Sequence, residues 1–264
     1  MKVSLVISVY TNIPYLKALI QGLKCQTYKD FEVIVAEDND SPAMVAFIEE
    51  IKPSCSFPLI HISQPDEGFR KSRIMNEAIR IANGELILFV DGDCVLHSQY
   101  IKQYVKNARE GVCLGGRRVL LDKKTTANFL KDGNFRHFSL VKMALNGSRH
   151  AEDGVCNPLI NRKINYLLGS NMGMLKTDWL KINGIDEDYK LPCVGEDNDV
   201  EWRVRSAGII IKSMRFKAVQ YHLHHEKPYG SNDHAVNYAM METKQKKGKF
   251  FCENGIQKMG VEKG

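Results

Sequence analysis

The sequence predicts an α/β fold, a mostly parallel central sheet flanked by helices. Three observations predict it. Short β-branched runs alternate with helix-spaced segments three times before residue 86. The run Leu86 to Val90 is then apolar without interruption, which suits a strand buried on both faces. Polar or acidic residues follow the first, second and fourth of these strands, so they gather along one edge of the sheet.

Lys2 to Val9 is the first strand. Tyr10, Thr11 and Asn12 form a turn, and Pro14 stands where a helix begins. Leu16, Leu19, Ile20 and Leu23 then recur at helical spacing. Phe31 to Ala36 is the second strand, ending in Glu37-Asp38-Asn39-Asp40-Ser41, and Pro42 opens a helix to about Ile51. Leu59 to Ile62 is the third strand, and Arg70 to Asn83 the third helix. Further on, the pattern predicts a helix over 99–109, a strand at 115–119, a strand over 166–175 and a short helix ending at Asn183-Gly184. It predicts another helix carrying Val200 and Val204 on one face and stopped at Gly208, then strands over 209–214 and 218–221. Residues 122–163 read as an irregular basic insertion, and the chain from about Asn232 as a helical, basic tail appended to the domain.

Composition is that of an ordinary globule, 44% hydrophobic and 26% charged. No apolar run approaches the roughly 20 residues that span a bilayer. The first segment is too short for a secretory signal, which predicts a cytoplasmic protein. The net charge of +6 is concentrated late, at Lys244, Lys246, Lys247 and Lys249. These lysines suit either a solvated helix face or peripheral contact with an anionic membrane. Nothing interleaves aromatic with basic residues as nucleic-acid binding would require. Seven cysteines at irregular spacing, with no C-x-x-C, argue against disulfides and structural zinc.

Asp91, Gly92 and Asp93 close the fourth strand. Two carboxylates this close repel unless a cation compensates them. The tripeptide alone suits a tight turn or a divalent-metal site holding phosphates. Two further clusters stand out, Glu196/Asp197/Asp199 and His222/His224/His225. Asp199 reads as a helix cap, whereas capping cannot account for both Glu196 and Asp197 in the loop before it. Three histidines in four residues after a strand suggest a metal ligand beside carboxylates. A zinc hydrolase would want an H-E-x-x-H helix, and there is none. Trp202 suits either stacking on a sugar or core packing. No G-x-G-x-x-G or P-loop follows the first strand.

The pieces V-S-L-V-I-S-V-Y-T-N, Q-T-Y-K-D-F-E-V-I-V-A-E-D, G-F-R-K-S-R-I-M-N-E-A-I, G-E-L-I-L-F-V-D-G-D-C, N-G-I-D-E-D-Y, G-E-D-N-D-V-E-W-R and Y-H-L-H-H appear in that order. In this order they resemble inverting nucleotide-sugar glycosyltransferases of family 2, with a GT-A fold. They also resemble the subgroup whose C-terminal half is similar to that of the β-1,4-galactosyltransferases. The resemblance implies a GT-A domain over 1–225, with a Rossmann-like nucleotide-sugar half over 1–95 and an acceptor half over 96–225. It implies that Tyr10, Asp38, Arg70, Asp91, Gly92 and Asp93 bind a UDP-sugar, and that Asp91, Asp93 and His222 hold Mn²⁺ or Mg²⁺. Asp197 matches the general base, with Glu196 beside it on the acceptor. Asn171, in Gly169-Ser170-Asn171-Met172, and Trp202 are expected on the acceptor side. The chain departs from the pattern at Val9, Glu37 and Met75, where proline, aspartate and arginine are usual.

The expected activity is metal-dependent, inverting transfer to a glycan or lipid-linked glycan in cell-envelope polysaccharide synthesis. Competing classes are a non-catalytic nucleotide-sugar-binding module on the same fold and a nucleotidyltransferase. The latter would want a Gly-rich, basic loop after the first strand, unlike Tyr10 to Tyr15.

Overall fold

The computed structural model describes residues 1–192, 196–226 and 231–258, with side chains described for all of these but residues 196 and 231–233. Strands β1 (Val3–Val9), β2 (Phe31–Glu37), β3 (Leu59–Ser63) and β4 (Leu86–Asp91) alternate with helices α1 (Ile13–Lys24), α2 (Pro42–Ile51) and α3 (Lys71–Ile81). They pair in parallel in the order β3-β2-β1-β4. The sheet then continues through β8 (Met172–Leu175), β6 (Val112–Gly115) and β9 (Ile210–Ser213), with β8 antiparallel to both of its neighbours. The predicted α/β class is therefore the observed one.

The strands are apolar throughout because each face of the sheet is covered. Side chains alternate across a strand. Leu5, Ile7, Val33, Val35, Leu88 and Val90 pack with Leu16, Leu19 and Leu23 of α1 on one face. Val6, Ile34, Ile87 and Phe89 pack with Ile74 and Ala78 of α3, and with Val200 and Val204 of α8 (Glu196–Ser206), on the other. A second sheet has the order β5 (Cys94–Leu96), β10 (Gln220–His222), β7 (Val119–Leu120). It packs against α5 (Lys123–Asp132) through Phe129, against α6 (Leu140–Asn146) through Met143, and against Phe138 in the turn between them.

Four local expectations are corrected. The strand expected at 115–119 lies earlier, over Val112–Gly115, with a separate short pairing at Val119–Leu120. Gly116, between them, serves contact rather than pairing: a Cβ there would come 2.4 Å from the Asn171 amide. The stretch 122–163 is largely helical, because its apolar residues cover the second sheet. Only Met172–Leu175 of the long strand expected from 166 is extended. Asp199 does not act as an end cap but is a buried charge. Its Oδ2 accepts from Arg203 Nε at 2.6 Å, and its Oδ1 accepts from Trp202 Nε1 and Tyr189 Oη.

Asp199 and Arg203 are both essentially inaccessible, at 0% and 1%. Removing one partner strands the other charge, so Asp199→Ala is expected to lose about 3–5 kcal/mol of unfolding free energy. Urea unfolding followed by circular dichroism measures this, and a loss within experimental error would contradict it.

The basic tail is not an appendage. Its helix α9 (Ser231–Lys247) is held by Asn237, whose Nδ2 donates to Leu191 O at 2.9 Å. Lys244 Nζ lies 2.5 Å from Asp186 and 2.6 Å from Asp188. Beyond the helix, Asn183 Nδ2 donates to the carbonyls of Cys252 and Gln257, and Ile256 packs on the core. The lysine charge that suggested a free tail partly answers the acids of N-G-I-D-E-D-Y. Among the described residues no helix is long and apolar enough to cross a membrane.

Candidate active site

The parallel strands present their carboxyl ends together, and the backbone ladder sets the first acids in place. Asp91 is the last paired residue of β4, opposite Ser8 of β1. Gly92 N donates to Ser8 O at 2.8 Å, and Asp38 N donates to Val9 O at 2.9 Å. Asp38 and Asp91 thus flank the end of β1, where the sheet runs out in both directions from a single strand. Ligands bind at such switch points in open α/β sheets.

Asp38 is 8% exposed. Its Oδ1 accepts from Gln64 Nε2 at 2.6 Å and its Oδ2 from Arg70 N at 2.7 Å. Burial pushes its carboxyl up, although both hydrogen bonds oppose the rise. A hollow of about 560 Å³ opens beside it, lined also by Tyr10, Lys71, Asp91, Gly92 and Asp93. Tyr10 is exposed, with its hydroxyl on Asp66 at 2.7 Å.

Asp93 lies beyond the strand, and the second sheet completes its surroundings. Cys94 of β5 pairs antiparallel with His222 of β10, and Leu223 N donates to Asp93 O. The paired residues Cys94 and His222, 128 positions apart, are thereby neighbours. His222 Nε2 lies 3.3 Å and His225 Nε2 2.9 Å from the same oxygen, Asp93 Oδ2. Burial alone would raise the Asp93 carboxyl, but hydrogen bonds to His222 and His225 hold it well below the usual carboxylate range. The bond to Asp93 raises His225 in turn, against burial.

Asp93, His222 and His225 each offer one ligand atom, and these atoms all lie within 4.8 Å of one another. One carboxylate with two imidazoles is a donor set suited to a divalent ion such as Mn²⁺. The residues therefore fit the implied metal, but the set differs from the expected one. His225 joins it. His224 does not: its backbone is tied to Thr126 and Tyr15, and its ring is exposed. Asp91 is also outside the set, because its Oδ1 takes Lys71 Nζ and Ser8 Oγ, each at 2.8 Å. Burial would raise the Asp91 carboxyl, yet Lys71 and Arg118 keep it lowered.

A second hollow, of about 720 Å³, adjoins the first and shares Phe69, Lys71, Asp91, Asp93, Pro192 and His225 with it. Its far side carries Arg118, Gly169, Ser170 and Asp197. Asp197 stands in the first turn of α8 rather than in a preceding loop. Its Oδ2 accepts from Gly169 N at 3.2 Å and its Oδ1 from Asn198 N at 2.8 Å. The Glu196 side chain lies outside the described residues.

Three expected residues stand elsewhere. Arg70 turns back on its own loop, bonding Glu67 and the Pro65 carbonyl, and serves Asp38 through its backbone. Asn171 is fully buried and fully bonded. Its Oδ1 accepts from the hydroxyls of Tyr100 and Tyr104, and its Nδ2 donates to the carbonyls of Arg117 and Ala218. Trp202 lines a separate small hollow beside Asp186 and Lys244. The cations Lys71 and Arg118 are what the motif reading missed. Lys71 follows Arg70 directly in G-F-R-K, so only helix phase could have chosen between them.

A family model described as glycosyl transferase family 2 matches residues 4–167. The chain belongs to glycosyl transferase family 2. A putative glycosyltransferase of Bacillus subtilis, EpsH, is 31% identical over 107 residues, which cover 40% of this chain and 30% of that protein. The solved structure of a mannosyltransferase from Pyrobaculum calidifontis, in complex with GDP-Man and Mn²⁺, superposes with a TM-score of 0.65 at 14% identity, covering 93% of this chain and 64% of that one. The structure of Staphylococcus aureus TarS residues 1–349 with UDP-GlcNAc gives a TM-score of 0.60 at 17% identity, covering 92% and 66%. These likenesses establish a GT-A fold for the transferase. The matched stretch spans about a third or less of the first curated relatives.

Proposed function

We propose that this glycosyltransferase moves a sugar from UDP to a hydroxyl of a cell-envelope glycan, with inversion and with a divalent metal. The observation that carries the reading is the Asp93–His222–His225 set at the junction of two hollows, with Asp38 in one and Asp197 in the other. The first hollow takes the nucleotide. Asp38 there can accept a hydrogen bond from the base, and Tyr10 offers a ring at the rim. A histidine of Y-H-L-H-H beside Asp93 supports the subgroup with a galactosyltransferase-like C-terminal region.

The two hollows divide the work between the residues. Asp93, His222 and His225 would hold Mn²⁺ or Mg²⁺, which when bound stabilises charge developing on the diphosphate leaving group. Lys71 and Arg118 add positive charge beside Asp91, at 2.8 and 3.8 Å. Asp197, fixed by two backbone N–H groups, takes the proton of the attacking hydroxyl. Attack from its side of the sugar, opposite the diphosphate, inverts the anomeric carbon in a single displacement. TarS and the Pyrobaculum enzyme, solved with UDP-GlcNAc and GDP-Man, support a nucleotide-sugar donor. Of the four lysines that suit contact with an anionic membrane, Lys244 is held by Asp186 and Asp188, and Lys249 forms an exposed pair with Glu253.

Calorimetry with UDP and GDP, each with and without Mn²⁺, tests the donor. UDP is expected to bind at least tenfold more tightly than GDP, and Mn²⁺ to strengthen it. Equal binding of both, or no effect of Mn²⁺, would refute this part of the reading. Turnover of UDP-sugars excludes the non-catalytic alternative.

A further inference from the structure

A third hollow, of about 390 Å³, adjoins the Asp197 side of the cleft and shares Arg118, Leu120 and Leu168 with it. Four of its lining residues carry fixed positive charge: Arg117, Arg118, Lys163 and Arg215. One acid, Asp153, lines it, and Arg215 Nε already holds that carboxylate at 2.5 Å. Glu152 lies behind Arg215, at 3.5 Å from its Nη2.

Arg117 is anchored by carbonyl oxygens rather than a carboxylate. Its two terminal nitrogens donate to Gly116 O and Tyr166 O, each at 2.8 Å, and its guanidinium lies over the Tyr166 ring at 4.3 Å. The position is therefore set without its charge being cancelled at contact. Arg118 links the hollow to the reaction centre. Its Nη1 donates to Ser170 Oγ at 3.0 Å and lies 3.8 Å from Asp91 Oδ2. Lys163 is exposed at the rim.

Four cations against one lining acid leave the hollow with an excess of positive charge, which raises the local concentration of anions. Guanidinium groups suit oxyanions, which they bond in a fork. We propose that this hollow receives an oxyanion carried by the acceptor, so that the acceptor is a phosphate- or carboxylate-bearing glycan rather than a neutral one. The proposal rests on the transferase reading above, with the reacting hydroxyl at Asp197 and the anionic group held beyond Arg118. The side chains around 149–166 thereby take part in choosing the acceptor. They belong partly to the stretch that reads as an insertion.

Binding of two small probes to the full chain tests it, with UDP and Mg²⁺ present at saturation so that the donor site is filled. Glycerol 3-phosphate is followed by ³¹P line broadening, and glucuronate by ¹H saturation transfer, with glycerol and glucose as neutral controls. At least one anionic probe is expected to bind, the neutral controls are not, and the probe that binds names the acceptor's anion. Lys163→Glu is expected to weaken that binding at least tenfold and to leave UDP affinity unchanged. Arg215→Gln should weaken it as well, with the folded state checked by circular dichroism. Failure of both anions to bind, or equal binding in Lys163→Glu, overturns the proposal. UDP affinity, read separately in the same samples, reports on the donor reading, so either can fail alone.

Discussion

Asp93→Ala is expected to abolish metal-dependent nucleotide binding while the protein stays folded. Asp93 is the one carboxylate in the three-residue set, and both histidines point at the same oxygen of it. Removing it leaves two imidazoles at 5.0 Å between ring centres, with no anionic ligand between them. Loss of a supporting residue at a metal site costs 10- to 100-fold in affinity, so loss of a ligand is expected to cost at least about 100-fold. Titration of Mn²⁺ in the presence of UDP, by electron paramagnetic resonance, measures this. His225→Ala should weaken Mn²⁺ as well, whereas His224→Ala should not, since that ring stands outside the set. Wild-type affinity in Asp93→Ala, or equal effects at the two histidines, would dismiss the metal assignment.

Asp197→Asn is the second large effect expected. The amide oxygen can still accept from Gly169 N, so the first turn of α8 keeps its anchor. An amide cannot take up a proton at neutral pH. General-base catalysis contributes about 100- to 10,000-fold, and transfer is expected to fall by that much. UDP binding should be unchanged, because Asp197 lines only the second hollow. Hydrolysis of the donor, where water attacks in place of the acceptor, should fall less than transfer. Undiminished transfer would remove Asp197 from the reaction, and a parallel loss of UDP binding would make it a donor residue.

The strands and most helices of the first half are legible in the sequence because their signals are local. Leu86–Val90 reads as a doubly buried strand whatever its partners, and Leu16, Leu19 and Leu23 mark one helix face without reference to the sheet. Motif order points to the family, and Asp38, Asp91, Gly92, Asp93, His222 and Asp197, all singled out by motif, line the two hollows. The misreadings fall where one residue type serves two ends. Asn171 and Trp202 have the chemistry of ligand contacts, but neighbours 67 to 71 positions away claim the first and Asp199 the second. Asp199 looks like a cap until Arg203 is seen buried against it.

By itself the sequence determined the α/β class, the acids at the strand ends and the kinship with family 2 transferases. These follow from hydrophobic period and from short motifs, which survive without knowledge of contacts. Only the tertiary structure decided which histidines meet Asp93, that Lys71 rather than Arg70 faces the cleft, and that the basic tail folds onto Asp186 and Asp188. Each of those depends on strand register or helix phase between distant segments. The antiparallel pairing of Cys94 with His222 brings together groups 128 residues apart, and no local pattern encodes that register.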